Sequence, residues 1–227
     1  MAHKNYKNIN LLGTSHIARQ SLNEVSSSFE TLKPDIVTLE LDKDRLRGVL
    51  SGKREKPSLK DILRIGLRSY LFAKFGAWVE EKLGSTVGVK PGSEMKLAYE
   101  LAVQNKVRVV LIDQNIQITL KRLISGITLR EKFRFVFDLL KGIIFRKSEV
   151  SFDLSTVPSD ALIETMIEKV RYRYPSVYRV LIVERNEFMA KRLFYLMQAN
   201  EDKKILAIVG AGHVDEMIGI IKRLEGN

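Results

Sequence analysis

At 227 residues the chain has room for one domain, or one domain carrying an insertion, and not for two full-sized α/β domains. A hydrophobic fraction of 45% excludes global disorder, and the absence of cysteine excludes disulfide frameworks, thiolate zinc sites and cysteine nucleophiles. The net charge of +11 sits mostly in two stretches, Lys43 to Lys74 and Lys121 to Lys147, which argues against a uniformly basic nucleic-acid-binding protein.

Ile9–Leu12 is the first β-like run, and it leads into Gly13-Thr14-Ser15-His16. Arg19–Leu32 places Leu22, Val25, Phe29 and Leu32 at helical spacing and stops before Pro34. Ile36–Glu40 is a second strand that ends on a carboxylate, with a helix expected at Asp42–Leu50. Ser58–Leu83 reads as a helical insertion. Ser93–Asn105 is a helix that opens with Ser93-x-x-Lys96 and carries Met95, Leu97, Ala98, Leu101 and Ala102. Val107–Ile112 is the third strand and ends on Asp113. A long helical stretch, including an amphipathic helix over Val177–Ala199, separates it from the fourth strand, Ile205–Val209. That strand runs into Gly210-Ala211-Gly212-His213, and a helix over His213–Leu224 closes the sequence.

Strands separated by helices predict an α/β fold: a mainly parallel central sheet flanked by helices, with helical insertions at about 43–90 and 118–175. Residues 1–227 form a single domain in this reading. No apolar run approaches the roughly 18 residues that span a bilayer. Met1–Asn10 lacks the apolar stretch of a signal sequence. A cytoplasmic location is expected, with any membrane association through a segment outside this chain.

In an open parallel sheet the ligand crevice lies beyond the carboxyl ends of the strands. Here those ends carry His16, Glu40, Asp113 and His213. Two of the three histidines share a Gly-x-x-His frame, and imidazole with carboxylate is a common donor set for divalent transition metals. A single histidine after a strand is more often a cap or a core hydrogen-bonder; the repeated frame favours a shared site. Glu40 reads equally as a site carboxylate or as a carboxylate for the following helix N-terminus. For Asp113, capping the helix that starts near Asn115 is the stronger reading. Gly13, Gly210 and Gly212 fit a sharp strand-to-helix turn with positive φ, or a backbone approached closely by a ligand. Gly210-x-Gly212 is no dinucleotide fingerprint, because Asp215 occupies the third glycine position and the sequence ends before the acidic ribose-binding residue. Glu184-Arg185-Asn186-Glu187 is a polar cluster between apolar segments, so part of it is expected to be buried and paired.

These pieces, in order, resemble the TraB/PrgY family, which is grouped with GumN and the Tiki proteins. The matching segments are Gly13-Thr14-Ser15-His16, Val37-Thr38-Leu39-Glu40-Leu41-Asp42 with Arg45, and Gly92-Ser93-Glu94-Met95. Leu111-Ile112-Asp113, Glu184-Arg185-Asn186 with Met189-Ala190, and Val209-Gly210-Ala211-Gly212-His213-Val214 complete them. The resemblance implies an α/β fold around one site and, in Tiki-like relatives, a metal-dependent peptidase using manganese or a similar ion such as cobalt or zinc. Bacterial relatives are associated with shutting down a peptide pheromone. Carried over, His16, Glu40 and His213 form the metal set, with Glu94, Glu184 and Arg185 as acid, base or orienting groups. The chain departs from the family where Asp-Arg is usual, reading Asp113-Gln114.

Two functions follow as expectations. One is a metal-dependent hydrolase acting on peptide substrates or signals, with Glu40 or Glu184 moving the proton. The other is a non-catalytic peptide-binding protein at a membrane surface, since Leu59–Leu83 and Ile127–Phe145 interleave apolar and basic residues suited to anionic lipid. A homodimer through the phenylalanine-rich arm is also expected, and nucleic acid is not an expected partner because no reading motif is present.

Overall fold

The computed structural model describes residues 3–14, 19–51, 92–145 and 160–226. The Ser58–Leu83 insertion and His16 therefore lie outside the described residues. The elements in chain order are β1 (His3–Tyr6), β2 (Ile9–Thr14), α1 (Arg19–Leu32), β3 (Ile36–Leu39), α2 (Lys43–Ser51), α3 (Ser93–Gln104) and β4 (Arg108–Leu111). They continue with α4 (Ile116–Gly126), α5 (Leu129–Phe145), α6 (Asp160–Arg173), α7 (Pro175–Tyr178), a π-helical turn (Arg179–Val183), α8 (Glu184–Gln198), β5 (Ile205–Gly210), a 3₁₀ turn (Ala211–His213) and α9 (Val214–Glu225).

The strand order is β1-β2-β5-β3-β4, with β2, β5, β3 and β4 parallel. The fold is the expected α/β class, a mainly parallel sheet between helices. β5 is buried along its whole length and alternates its contacts, as period-two geometry requires. Ile205, Ala207 and Val209 pack with Met189, Leu193, Val214 and Met217 from α8 and α9, while Leu206 and Ile208 pack with Val25, Phe29, Met95 and Ala98 from α1 and α3. A strand covered on both faces can be apolar throughout, which is why Ile205–Val209 reads as one continuous run.

Two differences from the sequence reading have physical causes. β1 pairs antiparallel with β2 at the sheet edge, and its residues are mostly exposed and polar, so hydrophobic patterning does not reveal it. The expected single helix over Val177–Ala199 is divided by the π-helical turn at Arg179–Val183, which has no signature in the sequence.

Local polar contacts join α5 to α7. Thr128 and Glu131 form a capping box at the start of α5: Thr128 N–H donates to Glu131 Oε2 at 2.8 Å, and Glu131 N–H donates to Thr128 Oγ1 at 3.3 Å. Glu131 Oε1 also accepts from Ser176 N–H at 2.7 Å, joining α5 to α7. Burial of Glu131 pushes its carboxyl up, but the donors on Thr128 and Ser176 outweigh this and hold it at about 2, below its ordinary 4.5. A depressed pKa stabilises the fold above the unfolded value, and that stability is lost as pH falls from about 4.5 through about 2. Glu131→Gln is thus expected to cost about 1–2 kcal/mol near neutrality. The difference from wild type should shrink across that acid window in urea titrations, and a gap that stays constant with pH would contradict the assignment. On α5, Leu129, Phe133 and Phe137 are exposed, as are Arg130, Lys132 and Arg134.

Candidate functional site

Four backbone segments meet beyond the carboxyl ends of the parallel strands. Glu40 directly follows β3 and keeps the ladder going, its N–H donating to Ile208 O at 3.1 Å. This aims its buried side chain across the end of β5, where Oε2 accepts from Gly210 N–H at 2.6 Å. Asp113 follows β4 and is 4% exposed. His213 closes the 3₁₀ turn after β5 and is also buried. Arg185 and Asn186 come from the first turn of α8.

Arg185 joins the two carboxylates. Its Nη2 donates to Glu40 Oε1 and, at 2.9 Å, to Asp113 Oδ2, while Nε donates to Asp113 Oδ1 at 3.1 Å. Arg45 Nη1 reaches the same Asp113 Oδ2 at 2.9 Å. Two carboxylates and two guanidiniums thus compensate each other in a largely buried cluster. Burial works against the charge on Arg185, but Glu40 and then Asp113 outweigh it and raise its pKa above the ordinary arginine value. The π-helical turn assists, since its Leu181 O accepts from Arg185 Nη1 at 3.4 Å.

His213 lies between two partners. Nδ1 is 2.5 Å from Asn186 Oδ1, and Nε2 is 3.4 Å from Glu40 Oε1. The second separation exceeds the usual N–H···O range of 2.7–3.2 Å. Asn186 Nδ2 donates to Glu216 Oε2 at 2.7 Å, so Asn186 Oδ1 is the acceptor and Nδ1 the donor. In the neutral ring Nε2 then turns a lone pair toward a carboxylate oxygen, an arrangement of two acceptors that a cation or a proton between them would satisfy.

Glu40 does not cap α2; Asp42 does, with Oδ1 accepting from Asp44 and Arg45 N–H at 2.8 and 2.9 Å and Oδ2 from Ile116 N–H at 2.7 Å. Nor does Asp113 cap α4, because Asn115 accepts from Gln117 N–H at 2.8 Å and Asp113 is taken up by the arginines. The turn after β5 needs no left-handed glycine either: Gly210 has φ −60°, and the positive-φ glycine among the described residues is Gly92, at φ 81° ahead of α3, where a Cβ would lie 3.2 Å from Val49. Gly210 instead contributes its N–H. Gly13 pairs in register with Val209, and Gly212 lies in the 3₁₀ turn.

The other expected site residues are distributed unevenly. Glu94 is buried in the first turn of α3. Glu184 turns to Arg122 Nη1 at 3.0 Å and Arg179 Nε at 3.7 Å rather than to the Glu40 cluster. Gln114, where the resemblance leads one to expect arginine, is buried and donates to Thr119 Oγ1 at 2.8 Å; Arg45 and Arg185 already occupy Asp113. The sequence reading missed the roles of Arg45, Asn186 and Glu216. Asn186 had a detectable signal: it falls on the stripe of Met189, Ala190, Leu193 and Met197, and a polar residue on an apolar stripe needs a buried partner.

Among the described residues, no three of His, Asp and Glu gather as a metal site. Two donors of the right kind, His213 Nε2 and Glu40 Oε1, do face each other, and the third member of the expected set, His16, is outside the described residues. An imidazole nitrogen and a carboxylate oxygen are donor types that divalent transition metals accept, and Glu40 Oε1 also accepts from Arg185 Nη2. Among the same residues, no helix is long and apolar enough to cross a membrane.

The class defined so far is an open α/β sheet with a charged, buried cluster at its carboxyl edge. The TraB/PrgY/gumN family matches residues 1–227, and the chain belongs to it. An uncharacterized protein of Methanocaldococcus jannaschii is 34% identical over 225 residues, covering 96% of this chain and 54% of that protein. The human and mouse TraB domain-containing proteins are each 26% identical over 235 residues, covering 90% of this chain and 60% of theirs. The chain thus spans between half and two thirds of the length of these curated relatives.

Proposed function

We propose that this domain is a metal-dependent hydrolase acting on peptides. The observation that carries the reading is the buried pair of acceptors, His213 Nε2 facing Glu40 Oε1 at 3.4 Å, with Nδ1 committed to Asn186. His213, Glu40 and, through the family resemblance, His16 would hold the ion. When bound, a divalent metal polarises a carbonyl and lowers the pKa of water. The chain's own groups prepare the site. Arg185 keeps Glu40 ionised and oriented, so that the carboxylate can ligate or accept a proton. The Gly210 N–H fixes the other carboxylate oxygen, which prevents the group from rotating.

Manganese titration of the purified protein is expected to show saturable binding that is lost in the His16→Ala, His213→Ala double variant. Chelation is expected to abolish hydrolysis of unstructured peptides, with manganese restoring it. Equal, negligible uptake of manganese, cobalt and zinc by both proteins would remove the metal.

A second reading has its own support. Glu40 and Asp113 are already neutralised by Arg185 and Arg45, so the cluster is complete in charge without a metal. In that case the domain binds peptide without turnover, and peptide affinity, measured with and without chelator, would be indifferent to chelation.

A further inference from the structure

The two nitrogens of His213 are surrounded by groups of different kinds, and the difference can be traced through two other residues. Glu216 stands in the first turn of α9, three residues after His213, and is half-buried. Its carboxylate can only accept hydrogen bonds. Asn186 on α8 is fully buried and gives its Nδ2 to Glu216 Oε2 at 2.7 Å. The amide oxygen must then face the other way, where it meets His213 Nδ1 at 2.5 Å. An amide oxygen also only accepts, so the ring hydrogen belongs on Nδ1 and the lone pair on Nε2.

We infer that Glu216 and Asn186 are positioning residues that set the tautomer of His213, leaving Nε2 bare toward Glu40. What Nε2 is used for rests on the hydrolase reading above; the tautomer itself does not. The direction of the relay comes from the carboxylate. With a donor in place of Glu216, Asn186 would turn its oxygen outward and its NH₂ toward the imidazole. Nδ1 would then have to accept, and the hydrogen would move to Nε2, where it would block a cation. Partners beyond the ligands orient metal-binding histidines in this way, and their loss typically costs about 10–100-fold in metal affinity.

The test is nitrogen-15 spectroscopy of His213, assigned against His213→Ala, at alkaline pH where imidazole is neutral. Wild type is expected to show a protonated Nδ1 and an unprotonated Nε2. Glu216→Gln, whose amide can donate or accept, should give a mixture of tautomers. Glu216→Lys should shift the hydrogen to Nε2. Both changes fall at a half-buried helix position, and circular dichroism verifies that the variants fold. Manganese affinity should fall about 10–100-fold in both. A protonated Nε2 in wild type, or an unmoved tautomer in folded Glu216→Lys, overturns the inference. The two readings fail separately. A tautomer that responds to Glu216 in a protein that binds no manganese supports the positioning role and defeats the metal. A tautomer that does not respond, in a protein that binds manganese, does the reverse.

Discussion

Arg185→Met is expected to destabilise the domain by about 3–5 kcal/mol, the usual cost of removing one partner from a buried ion pair. The substitution keeps much of the side chain's bulk and removes the guanidinium, so packing accounts for little of the loss. The remainder is electrostatic: Glu40 and Asp113 are 2% and 4% exposed, and each takes Arg185 as a direct donor. Arg45 stays on Asp113, but its side chain is one-third exposed and it reaches only the backbone oxygen of Glu40. Glu40 therefore loses the guanidinium that compensates its buried negative charge, while the Gly210 N–H stays on its other oxygen. For a chain of this size, a loss on that scale lowers Tm by about 10 °C.

A second variant separates the charge from the side chain. Adding Glu40→Gln and Asp113→Asn to Arg185→Met removes the stranded charges, and much of the lost stability is expected to return, because the three residues act as one unit. Thermal melts of the single and triple variants give the comparison. A single variant within about 1 kcal/mol of wild type, the range of an exposed ion pair, would show that the cluster is solvated and not buried.

The strand ends were legible in the sequence because an apolar run that stops on a polar residue marks both a strand and its rim. Glu40, Asp113 and the Gly210–His213 turn were all placed this way. What those carboxylates do was not legible. Arg45, Asp113 and Arg185 come from α2, the end of β4 and α8, and nothing local to any of them announces a shared bond. Capping was the natural reading of Asp113 because it lies three residues before a helix, yet Asn115 satisfies that helix with a side chain of its own. The turn after β5 misled for a related reason. Glycine there suggested a left-handed backbone, whereas Gly210 is extended and matters for its N–H. Polar patterning foretold that part of Glu184–Glu187 would be buried; Asn186 is fully buried and Arg185 partly so. Which of the four turn inward depends on helix phase, and the π-helical turn just before them sets it.

Glu40→Gln is expected to abolish the proposed metal-dependent hydrolysis, by at least about 10²-fold in rate, while costing far less stability than Arg185→Met. Each carboxylate oxygen has its own task, and an amide can perform only one of them. With its oxygen on the Gly210 N–H, glutamine directs an NH₂ group at Arg185, donor against donor, and toward His213 Nε2. That NH₂ satisfies the imidazole lone pair and so occupies the position a cation would take. With the amide reversed, Arg185 is satisfied, but NH₂ opposes the Gly210 N–H and a buried donor goes unpaired, at about 1–3 kcal/mol. Either orientation leaves Arg185 on Asp113, which keeps the fold intact. The effect is thus directed at function: manganese affinity and peptide turnover fall together, and the melting transition moves by a few degrees. Peptide binding that persists in Glu40→Gln without turnover would fit the hydrolase, since the carboxylate acts on the reaction rather than on capture. A folded Glu40→Gln protein that binds manganese and cleaves peptide like wild type would place the chemistry elsewhere in the domain.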